Sequence, residues 1–217
     1  YPDEVGGAWK YTHEVNRRLV ERGHRVHLIT CKPSDNFPDE EEVDGVLWKR
    51  IAASDSKSLF SLSRAALSRL KSVLKEGPLD LIHAHNPLVE LAFFPSWRFH
   101  SILKFYHFHS LWHDEEQINR LGQKGALSLK DRFIAEAIRL IEWICFKTAK
   151  KVLFLSYYSK GRFEEFYPLR HPSTEVIPGG VDTQAYRPGA SGLQREQILE
   201  RLDLPADIPI LLTVRRL

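Results

Sequence analysis

Histidines recur at a spacing of two in this sequence, first as His83 and His85 and then as His107 and His109, with His113 four residues further on. Alternate residues of an extended strand share a face, so each pair can present two imidazoles side by side. Imidazoles so placed can hold a zinc-type ion or exchange hydrogen bonds and protons with a ligand. Neither a CxxC nor an HExxH pattern accompanies them. His83 and His107 fall inside apolar runs and are expected to be structural, while His85 and His109 are expected at the mouth of a crevice. A metal-dependent hydrolase built on the two HxH pairs is the alternative.

Other residues suggest contacts with anions. Gly6-Gly7 precedes a helical stretch, where bare backbone can bring N–H groups close to a phosphate or a sugar. Arg215-Arg216 follows an apolar run, and a guanidinium fork there could hold a phosphate. The sequence contains no GxGxxG, which argues against a dinucleotide site. Arg139 and Glu142, three apart on a helical stretch, read as a surface ion pair, and Lys147, Lys150 and Lys151 as charges favouring that helix's C-terminus.

These residues must be positioned by strands alternating with helices, the pattern of a parallel sheet wound by βαβ units. Expected strands are Val26–Thr30, Val46–Ala52, Leu79–Ala84, Ile102–His107 and Val152–Leu155, with a short strand and a turn over Thr174–Asp182. Expected helices follow Gly6-Gly7 as far as Glu21, with Trp9, Val15 and Leu19 inward, then cover 58–75, the stretch around Val89–Phe94, and a start near Ser159. The longest, Leu129–Thr148, is apolar at Phe133, Ala137, Leu140, Ile141 and Ile144. Residues 33–45, rich in Pro, Asp and Glu, read as a solvated loop, and the segment around Asp114-Glu115-Glu116 as a mobile one. Ligands bind at the carboxyl ends of strands in such sheets. His85, Asn86, His109, Ser156 and Ser159 should therefore ring one crevice.

The composition fits an ordinary globular chain: 217 residues, 43% hydrophobic and 27% charged, enough apolar content to exclude disorder. No apolar run is long enough to span a bilayer. The two cysteines, Cys31 and Cys145, form no disulfide framework, which fits a reduced, cytoplasmic setting. A net charge of +3, with bases interspersed among acids, gives no nucleic-acid signature. The sequence contains no Met, opens on the loop-like YPDEVGG and closes on PILLTVRRL, so it reads as an excerpt cut at both ends. The first helix must be fed by a strand. An apolar strand of about five or six residues is therefore expected immediately before Tyr1, lying parallel between Val26–Thr30 and Leu79–Ala84.

Several segments in register resemble the retaining GT-B glycosyltransferases of family four, the glycogen-synthase-like and sucrose-phosphate-synthase-like superfamily. They are YPDEVGG with the helix ending in LVERGHRV, then Asp80-Leu81-Ile82-His83-Ala84-His85, Phe108-His109-Ser110, and Arg139-x-x-Glu142 leading to Ser156. The most specific is VIPGGVD, residues 176–182, followed by Tyr186-Arg187-Pro188. Gly179 stands where the family usually has Asn, and Arg215 where its "GRL" strand end has Gly.

The resemblance implies a Rossmann-like, doubly wound parallel α/β sheet: the GT-B N-terminal, acceptor-side domain over 1–185. A linker and helix over 186–208 and the first strand of a donor-binding domain over 209–217 would follow. It implies transfer of a sugar from a UDP- or GDP-sugar co-substrate to a hydroxyl of a sugar, polysaccharide or lipid-linked acceptor, with retention and without a cofactor. His109 would contact the transferred sugar. Gly6 and Gly7 would lie near the donor phosphates and acceptor and Arg216 would contact the diphosphate, while His85, Asn86 and Ser156, placed in the crevice by their strand ends, are expected to bind donor or acceptor. Residues 1–217 alone are expected to be inactive. A non-catalytic sugar- or partner-binding module of the same fold is a further alternative.

Overall fold

The computed structural model describes residues 7–55, 58–92, 99–168, 172–187, 195–205, 209 and 211. Helix α1 (Gly7–Glu21) leads to β1 (His27–Cys31), a hairpin of β2 (Glu40–Val43) and β3 (Val46–Ile51), and α2 (Leu59–Glu76). Then follow β4 (Leu81–Ala84), α3 (Pro87–Glu90), β5 (Leu103–Phe108), α4 (Trp112–Lys124) and α5 (Leu129–Thr148). The order closes with β6 (Lys151–Phe154), α6 (Tyr157–Phe166), β7 (Ser173–Val176) and α7 (Arg195–Arg201). Strands β4-β5-β6-β7 form an all-parallel sheet, and β1-β3-β2 a mixed one in which β1 and β3 are parallel.

Period-two alternation gives the parallel sheet two different faces. Tyr106 and Phe108 of β5 point to α5, where Phe146 meets both rings, and Phe154, Phe163 and Tyr167 complete a buried aromatic cluster. The opposite face carries the histidines and is covered by α1, whose Tyr11 ring lies 4.6 Å from that of His107. Helices on both faces make the architecture doubly wound, as expected. Helix α1 itself is shallow: Trp9, Val15 and Leu19 are only half-buried, and Thr12 is its buried residue.

Strands β1 and β4 each end a sheet and are not hydrogen-bonded to one another. Between them lies a cavity of about 380 Å³ lined by Leu28 and Ile29 of β1, Ile82 and Ala84 of β4, and Leu70 and Val73 of α2. The strand expected between them was assigned ahead of Tyr1, outside the described residues. The strand expected over 209–214 also falls almost wholly on residues that are not described.

Three elements differ from expectation. Residues 40–43 form a strand rather than part of a solvated loop, because their acids have partners across the hairpin. Glu40 pairs with Lys49 at 3.2 Å, and Glu41 with the fully buried Arg50. The segment at 114–116 is helical. Asp114 and Glu115 occupy the first turn of α4, where the helix dipole favours acids, and Gly125 closes the helix in the left-handed region. Of the apolar positions expected along α5, Phe133 and Leu140 are 76% and 57% exposed while Ile141 packs against the core, and the buried residues are Asp131, Ala135, Ile138, Glu142, Cys145 and Phe146.

The hairpin turn depends on Asp44-Gly45, both at positive φ (50° and 76°), the two-residue turn whose twist matches paired strands. A Cβ on Gly45 would lie 2.5 Å from Val20 Cγ1. Gly45→Ala therefore combines backbone strain with a clash against α1. It is expected to cost about 1–3 kcal/mol, read as a lowered urea midpoint at unchanged slope.

Candidate functional site

The parallel register of β4 and β5 pairs Ala84 with Tyr106, so the next residues bring His85 and His109 to the same carboxyl-terminal edge. There His85 Nδ1 lies 3.0 Å from His109 Nε2 and 3.3 Å from the Thr12 hydroxyl. That hydroxyl donates its hydrogen to Ala8 O at 2.8 Å, so toward His85 it can only accept. The network thus assigns a proton to His85 Nδ1, makes His109 Nε2 the acceptor, and leaves the single N–H of neutral His109 at Nδ1 to donate to a ligand.

Asn86 is exposed beside this pair, and its Oδ1 caps α3 by accepting from Leu88 N at 2.9 Å. Ser156 caps α6, accepting from Ser159 N at 3.1 Å, and hydrogen-bonds the Ser159 hydroxyl at 3.0 Å. Both serines sit past the end of β6 on the same edge, but their hydrogen bonds stay within that cap. Gly7 begins α1, and a Cβ there would meet nothing within 4 Å. Gly6 and Arg216 lie outside the described residues.

Burial keeps this site uncharged. It is the leading cause that pulls the His83 imidazole down from 6.5 to about 4 and that of His107 to about 3, with neighbouring imidazoles adding to the effect. The same causes hold His85 well below its ordinary value, and burial lowers His109. Beneath them Glu90 is fully enclosed, its carboxyl pushed well upward by burial, while its Oε1 accepts the Asn86 N–H at 2.8 Å. A neutral floor of imidazoles gives and takes hydrogen bonds with hydroxyls but offers no net charge to an anion.

His83, His85 and His107 can offer nitrogens within 4.8 Å of one another. The His85 and His107 rings, however, lie 14° from parallel with centroids 5.4 Å apart. Ring lone pairs lie in the ring plane, so stacked rings direct them past one another. Zinc–nitrogen bonds of about 2.0–2.1 Å would require these rings to turn. The arrangement is a packed stack, with His83 and His107 inside the layer and His85 and His109 at its edge.

Glu142 is the residue that the surface-pair reading missed. It is 1% exposed, and Arg139 instead approaches Glu136 at 3.7 Å. Glu142 Oε1 accepts from Trp112 N at 2.8 Å, and Oε2 from His113 Nδ1 at 2.7 Å and the Tyr167 hydroxyl at 2.8 Å. It thereby caps α4, whose own N-cap position, Leu111, has no side-chain acceptor, and ties down the chain three residues after His109. The spacing Ala135, Ile138, Glu142, Cys145 traces one helical stripe and could have revealed this carboxylate as inward.

A family model described as Glycosyltransferase Family 4 matches residues 5–185. The chain is 27% identical to a D-inositol 3-phosphate glycosyltransferase of Thermobifida fusca, over 98% of this chain and 48% of that protein. It is 24% identical to one of Frankia alni, over 99% and 52%. It thus spans about half the length of these curated relatives. Among solved structures it is similar to a sucrose-phosphate synthase from Thermosynechococcus elongatus, with TM-score 0.69 and 19% identity over 94% of this chain and 49% of that one. It is also similar to a glycosyltransferase from Rickettsia africae, with TM-score 0.63 and 19% identity over 94% and 48%.

Replacing Glu142 by Gln sets an amide N–H₂ against backbone and imidazole donors. The variant is expected to lose about 2–4 kcal/mol in urea denaturation, whereas Arg139→Gln, on the exposed side of the same helix, stays within about 0.5 kcal/mol.

Proposed function

The chain belongs to glycosyltransferase family 4, and on that premise we propose that it forms the acceptor-side half of a retaining, nucleotide-sugar-dependent glycosyltransferase. The donor is a UDP- or GDP-sugar, and the acceptor is a hydroxyl on a sugar, polysaccharide or lipid-linked molecule. The observation that carries this reading is the pair of neutral, hydrogen-bonded imidazoles, His85 and His109, at the carboxyl ends of adjacent parallel strands. Its position agrees with where ligands enter open α/β sheets, and its chemistry suits a polyhydroxyl ligand. The family match speaks against the metal-dependent hydrolase.

In this reaction the bond between the sugar's anomeric carbon and the diphosphate breaks, and the diphosphate leaves with the electron pair. The acceptor oxygen forms the new bond on the same face and passes its proton to the departing diphosphate oxygen. The protein's part is to position the two substrates and to stabilise the departing charge. His109 orients the transferred sugar by donating from Nδ1, and His85 holds His109 in that tautomer. Asn86 and Ser156 border the acceptor side. Gly6 and Gly7 supply backbone N–H groups, and Arg216 pairs with the diphosphate. No cofactor enters. The remaining donor contacts belong to a second domain of the kind that the relatives' greater length allows, so residues 1–217 by themselves are inactive.

His109 is only half-buried and its loss leaves no charge unpaired, so His109→Ala should fold normally. In the complete two-domain enzyme, turnover with nucleotide sugars should fall about a hundredfold or more. Near-normal turnover, with circular dichroism unchanged, would remove His109 from the sugar site.

A further inference from the structure

The His85–His109 hydrogen bond joins two ring nitrogens, each able to donate or accept, so the imidazoles alone leave its direction open. The choice must come from outside the pair. Among the described residues the Thr12 hydroxyl makes the one other hydrogen bond to a ring nitrogen of either histidine, 3.3 Å from His85 Nδ1. Thr12 is the buried residue of α1, 7% exposed, so little water competes for its oxygen. Its proton is committed to Ala8 O, one helical turn earlier, at 2.8 Å. The His107 ring lies 5.4 Å from that of His85 and 4.8 Å from that of His109. Neither His107 nitrogen has a hydrogen-bond partner among the described residues, so this ring imposes no direction on the pair.

We propose that Thr12 is a positioning residue that fixes the tautomers of His85 and His109, and with them the polarity that His109 presents at the crevice. With the proton on His85 Nδ1, that N–H lies between two acceptors, Thr12 Oγ1 and His109 Nε2. In the reverse arrangement His109 Nε2–H would donate to His85 Nδ1. The Nδ1 lone pair would then face the Thr12 oxygen, whose own proton is turned to Ala8. Two lone pairs opposed at 3.3 Å in a site largely closed to water repel with little screening. Hydrogen-bond direction is thus handed from the Ala8 carbonyl through Thr12 and His85 to His109, and ends in an Nδ1–H turned to a ligand. Ala8 directly follows Gly7, so the chain starts beside the glycine pair proposed to meet the donor and ends at the imidazole proposed to orient its sugar. The consequence for turnover rests on that glycosyl-transfer reading, whereas the control of the tautomers does not.

The test is nitrogen-15 NMR of the imidazoles in the 217-residue chain at about pH 7.5, where both rings are neutral, joined to kcat/KM for nucleotide sugars in the complete two-domain enzyme. The parent chain should show one tautomer for each ring, with both protons on Nδ1. T12V keeps the side-chain shape and removes the hydroxyl, and T12A removes it without crowding the ring. Each should convert His85 and His109 to mixtures with about a third or more of the Nε2-protonated form. T12S, which keeps the hydroxyl, should retain the parent pattern. In the complete enzyme T12V should lower kcat/KM about twofold or more, in step with the fraction converted, and T12S should recover most of the loss. Single Nδ1 tautomers persisting in T12V and T12A, whatever their turnover, would overturn the proposal, as would mixed tautomers in the parent chain. Mixed tautomers in the variants with unchanged kcat/KM would uphold the control by Thr12 and instead remove His109 from the sugar site.

Discussion

Parallel pairing of β4, β5 and β6 is the constraint on which the rest of the molecule depends. Parallel strands end together at one edge, and each residue leaving that edge is delivered to the same crevice. Alternation along β5 then sorts its side chains: Tyr106 and Phe108 go into the aromatic core beneath α5, and His107 and His109 to the side covered by α1. One backbone arrangement thus builds a dry core on one face and a hydrogen-bonding floor on the other. The floor's lack of charge follows from the same burial. An imidazole shut away from water loses the hydration that would support its cationic form, and among the described residues the carboxylates Glu142 and Glu90 do not restore it, since Glu142 is committed to α4 and Glu90 is itself pushed toward neutrality.

The loops that carry His85 and His109 are held by neighbours rather than by their own residues. Asn86 caps α3 while Glu90 reaches back to the Asn86 N–H, so the turn after β4 is closed from both sides. After β5, the first N–H groups of α4 find their acceptor on α5, in Glu142. This division places the chemistry on half-buried side chains at strand ends and the restraint on fully buried carboxyls behind them.

Most of the strands, and the residues at their ends, were legible in the sequence. Runs such as Val152–Leu155 are short and apolar, and the family signature at VIPGGVD stands in register with the other matching segments. What was not legible depends on partners distant in sequence. The acids of β2 resemble a loop until Lys49 and Arg50 are seen opposite them, although the Asp44-Gly45 pair was a local hairpin signal. Helix α4 lacks a side-chain cap of its own because its acceptor lies thirty residues away on α5. The facing of α5 was misjudged because two apolar arcs lie on one helix. Phe133 and Leu140 lie on the exposed arc, while the buried arc is made of Ala135, Ile138, Cys145, Phe146 and two carboxylates. At the crevice, His85 and His109 could be placed from strand ends alone, but Thr12 and Tyr11, which cover them, could not be identified without the packing of α1.

The central claim is that His85 and His109 form a neutral pair with fixed tautomers, and nitrogen-15 NMR of the imidazoles across about pH 4 to 8 tests it most directly. Burial lowers both values, so the two rings should stay neutral to a lower pH than a free imidazole does. The His85 proton should stay on Nδ1, and that of His109 on Nδ1 with its Nε2 accepting. Both rings titrating near 6.5 with mixed tautomers, as exposed histidines do, would contradict the account.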